Sequence, residues 1–188
     1  MTATSVERGR ATRQRLLDAA VPLIGEVGWN GVTTRLVAER AEVNPGLVHY
    51  HFASVSDLLA AASIGFAREL LGRTATQLAD QPDVPRGIDW LLAELSGYTG
   101  TDPASLLLIE SFLASTRLPE LRAQLGDLVA DFRACVADWL RGHGYDADAE
   151  AAAALLAAAV DGLILHRTLD PALDLTAFAG LLRRMVQP

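Results

Sequence analysis

Residues 33–52, TTRLVAERAEVNPGLVHYHF, fit a helix-turn-helix into about the minimum length that such a hairpin allows. Thr33 or Thr34 can cap a first short helix, on which the apolar positions Leu36, Val37 and Ala41 share one face. Glu42, Val43 and Asn44 make the turn. Asn44 is a good N-cap, and Pro45 suits the first helical position, where its missing N–H would have no intrahelical partner anyway. A second helix from Pro45 to about His51 follows.

The outer face of that second helix carries Gly46, His49 and Tyr50 in place of the Glu, Lys or Ala that a purely structural helix uses. Glycine there costs roughly 1 kcal/mol of helix stability, and close approach to another backbone, such as a DNA strand, is one compensating reason. The candidate DNA contacts are Thr33, Thr34 and Arg35 on the first helix, then Asn44, Pro45, Gly46, Leu47, His49, Tyr50 and His51 on the second. An ordinary hairpin in a helical bundle, with Tyr50 and the histidines as amphipathic cover, is the structural alternative.

Extended outward, the stretch from about Thr12 to Leu59 runs TRQRLLDAAVPLIGEVGWNGVTTRLVAERAEVNPGLVHYHFASVSDLL. It resembles the N-terminal domain of TetR-family transcriptional regulators. That pattern runs through a first helix, a Gly-x-x-Gly-Val-Thr-like link and a hairpin ending in an aromatic-x-His-Phe signature. The resemblance covers roughly a quarter of the chain directly, and implies a homodimer that binds double-stranded operator DNA and answers to a small molecule held in a C-terminal domain. Two residues depart from the pattern. His49 stands where the family usually has tyrosine and Val55 where it usually has lysine, both phosphate contacts, so a weaker non-specific grip is implied. Tyr50 and Arg35 are the residues available to replace the hydroxyl and the charge. Pro22 is a third departure, and should bend or tighten the first helix.

Composition sets the frame around this unit. A chain of 188 residues that is 51% hydrophobic can bury a sizeable core, whereas a unit of about fifty residues leans on the rest. The expected division is a DNA-binding domain over 1–52 and a ligand-binding and dimerisation domain over 53–188. A single cysteine, Cys135, leaves no intrachain disulfide, and MTATSVERGR lacks a signal-peptide core, so a cytoplasmic location is expected. The run from Ala151 to Val160 reads as too short to span a membrane. The net charge of −7 is unevenly placed: residues 1–52 carry six arginines against five acids, and the remainder ten against eighteen. Acidity therefore lies away from the DNA-reading end. Arg8, Arg10, Arg13 and Arg15 either form an arm toward phosphate or belong to a solvated tail.

After residue 52 the pattern is helical throughout, giving an all-α fold of about nine helices. Ser54 and Asp57 have capping-box spacing and open a helix to about Asp80 that joins the domains. Further helices are expected from about Arg86 to Tyr98, Pro103 to Ser115, Pro119 to Arg141, Asp146 or Asp148 to Thr168, and Thr176 to Val186.

The last two helices suggest a dimer interface. The segment 151–165 is apolar around nearly its whole circumference and needs cover on two sides. Ala151, Ala154, Leu155, Ala158, Gly162 and Leu165, with Phe178, Leu182 and Met185 of the final helix, are the candidate interface residues of an intersubunit four-helix bundle. The alternative is that they are the monomer's own core. Candidate ligand contacts are Phe66, Trp90, Tyr98, Glu110, Phe112, Trp139 and His166, large or polar residues on otherwise apolar helices; each aromatic could equally be core filler. Glu110 within LLLIESFLAS needs a partner or a ligand. Asp161 and His166 interrupt an apolar helix and could pair with each other or with Arg167. A mostly hydrophobic or aromatic ligand with one polar handle fits such a lining.

No Gly-x-Ser-x-Gly, phosphate loop or His-Glu-x-x-His is present, so an enzyme is not indicated, and neither cofactor nor metal is expected. The remaining competitor is a helical interaction protein of the same fold that no longer reads DNA.

Overall fold

The computed structural model describes residues 5–146 and 148–186. Among these the chain forms nine α-helices and two short 3-10 turns, with no strand. The helices are α1 (Ser5–Val27), α2 (Thr34–Arg40), α3 (Pro45–His51), α4 (Val55–Ala79), α5 (Val84–Ser96), α6 (Pro103–Ser115), α7 (Pro119–Gly142), α8 (Ala149–Leu169) and α9 (Ala179–Met185). The 3-10 turns are Trp29–Gly31, linking α1 to α2, and Leu175–Phe178, leading into α9.

Side-chain caps start most of these helices. The Leu36 N–H donates to Thr33 Oγ1 at 3.3 Å, so Thr33 rather than Thr34 caps α2. The Gly46 N–H donates to Asn44 Oδ1 at 2.9 Å, with Pro45 in the first turn of α3. Ser54 Oγ accepts from the Asp57 N–H at 3.0 Å and donates to the Asp57 carboxylate at 2.8 Å, which fixes the start of α4. α8 departs from this rule. Asp148 stands at its N-cap with φ 54° and makes no side-chain cap bond. The final helix also begins later than Thr176, because Asp174 caps a 3-10 turn first and α9 proper starts at Ala179.

The α2–α3 turn closes as a Schellman motif: the Val43 N–H donates to the Ala38 carbonyl at 2.9 Å and the Glu42 N–H to the Glu39 carbonyl at 3.2 Å. Glu42 occupies the left-handed position, at φ 54°, where glycine is the favoured residue. α1 begins at Ser5, so Arg8, Arg10, Arg13 and Arg15 are helical and form neither an arm nor a tail. Glu7 in its first turn suits the positive end of the helix, and the Arg13 guanidinium lies 4.9 Å from the centre of the Phe52 ring. The helix continues unbroken through Pro22.

Two main cores result. The N-terminal one joins Leu16, Ile24, Val37, Val48 and Phe52 to Leu58, Leu59 and Ala62 of α4 and Leu107 of α6. Its α2 stripe is Val37, Ala38 and Ala41, whereas Leu36 faces outward. The second core gathers α5, α7, α8 and α9 around Leu92, Trp139, Leu140, Leu156, Leu182 and Val186. Thus α4 and α6 touch both ends of the molecule. α8 is anchored at its C-terminal end by close approach: Gly100, at φ 82°, lies where a Cβ would sit 2.4 Å from the Thr168 nitrogen. The Thr168 hydroxyl donates to the Gly100 carbonyl at 3.1 Å, and Arg167 donates to the carbonyls of Leu95 and Ser96 at 3.4 and 3.1 Å.

Candidate functional site

The hairpin presents its expected contact residues outward. Thr33, Arg35, Asn44, Pro45, Gly46, Leu47, His49 and Tyr50 are exposed, and Thr34 and His51 are half-buried. Tyr50 is the most prominent, at 79% exposure, with its ring edge-on to His51 at 4.9 Å between centres. Val48 is fully buried and anchors α3 from beneath. A Cβ at Gly46 would meet only the capping oxygen of Asn44, at 3.2 Å, so no other part of this chain approaches there. Arg40 is committed to a two-pronged ion pair with Glu26 of α1 at 2.7 and 3.0 Å, and its guanidinium holds the Glu26 carboxyl below its ordinary range. That pair ties α2 to α1 at the rim of the hairpin.

The link Gly28–Gly31 is held by α6, which packs against α1. The Trp29 N–H donates to Glu110 Oε2 of α6 at 2.8 Å. Gly28, at φ 75°, brings the backbone against that carboxylate, since a Cβ there would sit 3.6 Å from Oε1. Glu110 was expected among the ligand contacts because an acid on an apolar helix needs a partner. Its partner is this backbone N–H, and it lines neither of the apolar cavities described next.

Between α4, α5, α6, α7 and α8 lies an apolar cavity of about 160 Å³, with a smaller one of about 90 Å³ beside it between α4, α6, α7 and Asp161. Tyr98 lines the larger, and Phe66 and Phe112 line the smaller. Three other expected contacts lie elsewhere. Trp90 packs against the second core, and Trp139 is buried within it over Gly87, where a Cβ would collide with its ring. His166 is exposed on α8. The polar groups that do line the cavities include Asp161, Glu94, Ser63 and Ser111. Burial pushes the Asp161 carboxyl up from its ordinary value, opposed by the nearby Arg133 charge. Asp161 pairs with neither His166 nor Arg167, the latter being engaged by carbonyls of α5. Its signal in the sequence was the interruption of an apolar helix, whereas two serines on alanine- and leucine-rich helices gave none.

α8 carries an uncovered stripe. Ala151, Leu155, Ala158 and Leu165 are exposed along one line with Ala154 and Gly162 half-buried beside them, and Leu169 is 82% exposed at its end. Met185 and Leu181 of α9 are exposed as well, Phe178 is half-buried, and Leu182 is turned inward, 7% exposed in the chain's own core. The outward position on α9 is thus Leu181, one residue from the expected one. The whole of α8, 21 residues, is long and apolar enough to cross a membrane by length and composition alone, which the shorter run 151–160 did not suggest. Its inner face nevertheless packs on α7, with Ala153, Leu156 and Ile164 in the core.

An exposed helix-turn-helix in front of a helical domain with an internal cavity is the architecture of a helix-turn-helix transcriptional regulator. Residues 16–62 match the family described as bacterial regulatory proteins, tetR family, and residues 82–188 match the tetracyclin repressor-like C-terminal domain. The chain belongs to the TetR family, a class of transcriptional regulators and not of enzymes. It is 27% identical over 145 residues, 75% of this chain and 72% of the other, to an uncharacterised HTH-type transcriptional regulator of Mycobacterium tuberculosis. Among solved structures, a transcriptional regulator from Rhodococcus is 26% identical with a TM-score of 0.74, covering 93% of each chain. The multidrug binding protein EbrR, complexed with imidazole, is 29% identical with a TM-score of 0.68, covering 94% of this chain and 95% of its own.

Proposed function

We propose that the protein is a cytoplasmic repressor that binds a palindromic operator as a homodimer and is released from it by a small, mostly hydrophobic effector. The observation that carries this reading is the α2–α3 hairpin, whose outer residues are solvent-facing while Val37, Ala38 and Val48 lock it to the core. A helix held rigidly from beneath with a polar and aromatic outer face suits insertion into a major groove. The DNA contacts of this reading are Thr33, Thr34, Arg35, Asn44, Pro45, Gly46, Leu47, His49, Tyr50 and His51.

Dimerisation is supported by the stripe on α8, too apolar for lasting exposure and lined with alanines that admit close helix packing. Two-fold symmetry would set the recognition helices about 34 Å apart, matching one turn of DNA. The effector chamber is the cavity pair between α4 and α8. EbrR, which is described as binding multiple drugs, supports a small-molecule ligand for this chamber. Its occupation would favour one tilt of α4, whose first turns lie in the core beneath the hairpin, and one position of α6, whose Glu110 holds the link at Trp29. Regulation follows only if effector binds the free and DNA-bound forms with different affinity.

The test is fluorescence anisotropy of the purified protein on DNA from immediately upstream of its coding region, across a salt series with unrelated DNA as competitor. Competitor-resistant binding that weakens log-linearly with salt is the expected result. Equal affinity for related and unrelated sequences would favour a helical interaction protein that no longer reads DNA.

A further inference from the structure

The two cavities share Leu70, Leu71, Leu108, Val129 and Asp161 in their linings, so they abut as an elongated pair with Asp161 at the boundary between them. Its charge is one-sided. The charged side chains lining it are Asp161 and Glu94, both acidic, and no arginine or histidine lines either part. Arg133 of α7 influences Asp161 through space but forms no ion pair with it within 4.0 Å among the described residues. At the narrow end two hydroxyls await partners: Ser63 and Ser111 are 2% and 5% exposed, both line the smaller cavity, and neither hydroxyl has a hydrogen-bond partner.

Each candidate ligand class meets these groups differently. A fatty carboxylate would set a second anion beside Asp161 in apolar surroundings, which like-charge repulsion disfavours. A neutral hydrocarbon would leave a buried carboxyl and two hydroxyls without partners. An organic cation meets the carboxylate with a charge-assisted bond while its alkyl groups fill the leucine-lined lobes on either side. For a ligand that spans both cavities, the position of Asp161 at their boundary places the nitrogen within the ligand and not at its tip.

We propose that the effector is an elongated hydrophobic amine whose internal ammonium is held by Asp161 and whose end toward α4 and α6 carries a polar group for Ser63 and Ser111. This rests on the reading of the helical domain as the effector chamber. The probes are three chains of matched length: dihexylamine, dihexyl ether and tridecanoate, each titrated by calorimetry into the full-length protein at neutral pH. Dihexylamine should bind roughly ten- to a hundredfold more tightly than the ether, the range expected for a hydrogen bond to a charged group, and tridecanoate should be weakest. In Asp161→Asn the preference for the amine over the ether should vanish. An amine with a terminal hydroxyl, 6-(hexylamino)hexan-1-ol, should outbind dihexylamine in the native protein but not in the Ser63→Ala, Ser111→Ala double variant.

Ether or tridecanoate binding as tightly as dihexylamine to the native chain, a comparison that needs no variant, would overturn the proposed ligand class while leaving the chamber in place. Failure of all three to bind at millimolar concentration would overturn the chamber as well.

Discussion

Removing Glu110 tests whether the two ends of this molecule are mechanically joined. Its carboxylate accepts the Trp29 N–H at 2.8 Å in a part-buried contact 81 residues apart in the chain. Hydrogen bonds to charged groups contribute about 1.5–3 kcal/mol when buried, so partial exposure here argues for a value at or just below the bottom of that range, about 1–1.5 kcal/mol. Glu110→Ala removes the acceptor and strands the Trp29 N–H, and should lower stability by about that amount, seen as a fall of roughly 2–5 °C in melting temperature for a domain of this size. Glu110→Gln keeps an acceptor oxygen and should recover about half. The functional readout is the shift in operator affinity on adding effector, measured by anisotropy. Once α6 no longer grips the link, that shift should shrink in the alanine variant even where the effector binds with native affinity. A Glu110→Ala protein that melts within the range of a neutral surface substitution, about 0.5 kcal/mol, and keeps the full effector response would refute the argument.

Glu42→Gly should stabilise the fold by about 0.5–1 kcal/mol by relieving the left-handed strain at φ 54°, and a urea melt with unchanged slope but raised midpoint would verify it. Tyr50→Ala should abolish operator binding while leaving the melting temperature nearly unchanged, because the ring is 79% exposed; unaltered affinity would remove Tyr50 from the recognition surface. If the proposed dimer forms through α8, Ala158→Glu should leave a monomer in analytical ultracentrifugation at micromolar concentration, whereas a dimer that persists in the variant would move the interface off α8. Asp161 is held above its unfolded value of 3.8, so the folded chain binds this proton more tightly than the unfolded one and loses stability as pH rises from about 3.8 through the raised value. The melting advantage of Asp161→Asn over the native protein should therefore grow as pH rises from about 3.8, level off above the raised value, and shrink as pH falls back toward 3.8. An advantage independent of pH would show that the carboxyl is not penalised by burial.

The parts of this fold most legible in the sequence are those governed by local chemistry. Asn44-Pro45, Ser54 with Asp57, and Asp102-Pro103 announce helix starts because a cap and its target lie within three residues of each other. The apolar spacing of α2 located Val37 and Ala41 correctly but misplaced Leu36, since a seven-residue helix leaves its rotation undetermined by periodicity alone. For the same reason Leu182, expected at the interface, turns inward on α9 while Leu181 beside it faces out. Long-range partners were not legible: nothing near Glu110 in the chain reveals Trp29, and nothing near Trp139 reveals Gly87. Tryptophan drew attention by size, yet Trp90 and Trp139 pack against and within the core here, while the cavities take their polar lining from Asp161, Glu94 and serines set on separate helices.

Leu107 has a consequence for anyone who would re-engineer specificity. It belongs to α6, yet its side chain is buried in the same cluster as Leu16, Val37 and Leu58. A graft cut after residue 52 would leave behind Leu58, Leu59, Ala62 and Leu107, and expose the underside of the hairpin to water. Exchange of operator preference between such proteins therefore calls for resurfacing α2 and α3 in place, or for a crossover beyond residue 62 accompanied by a matched residue at 107. The helix-turn-helix is not a detachable head, and its hydrophobic floor is laid partly by the helix that borders the cavities.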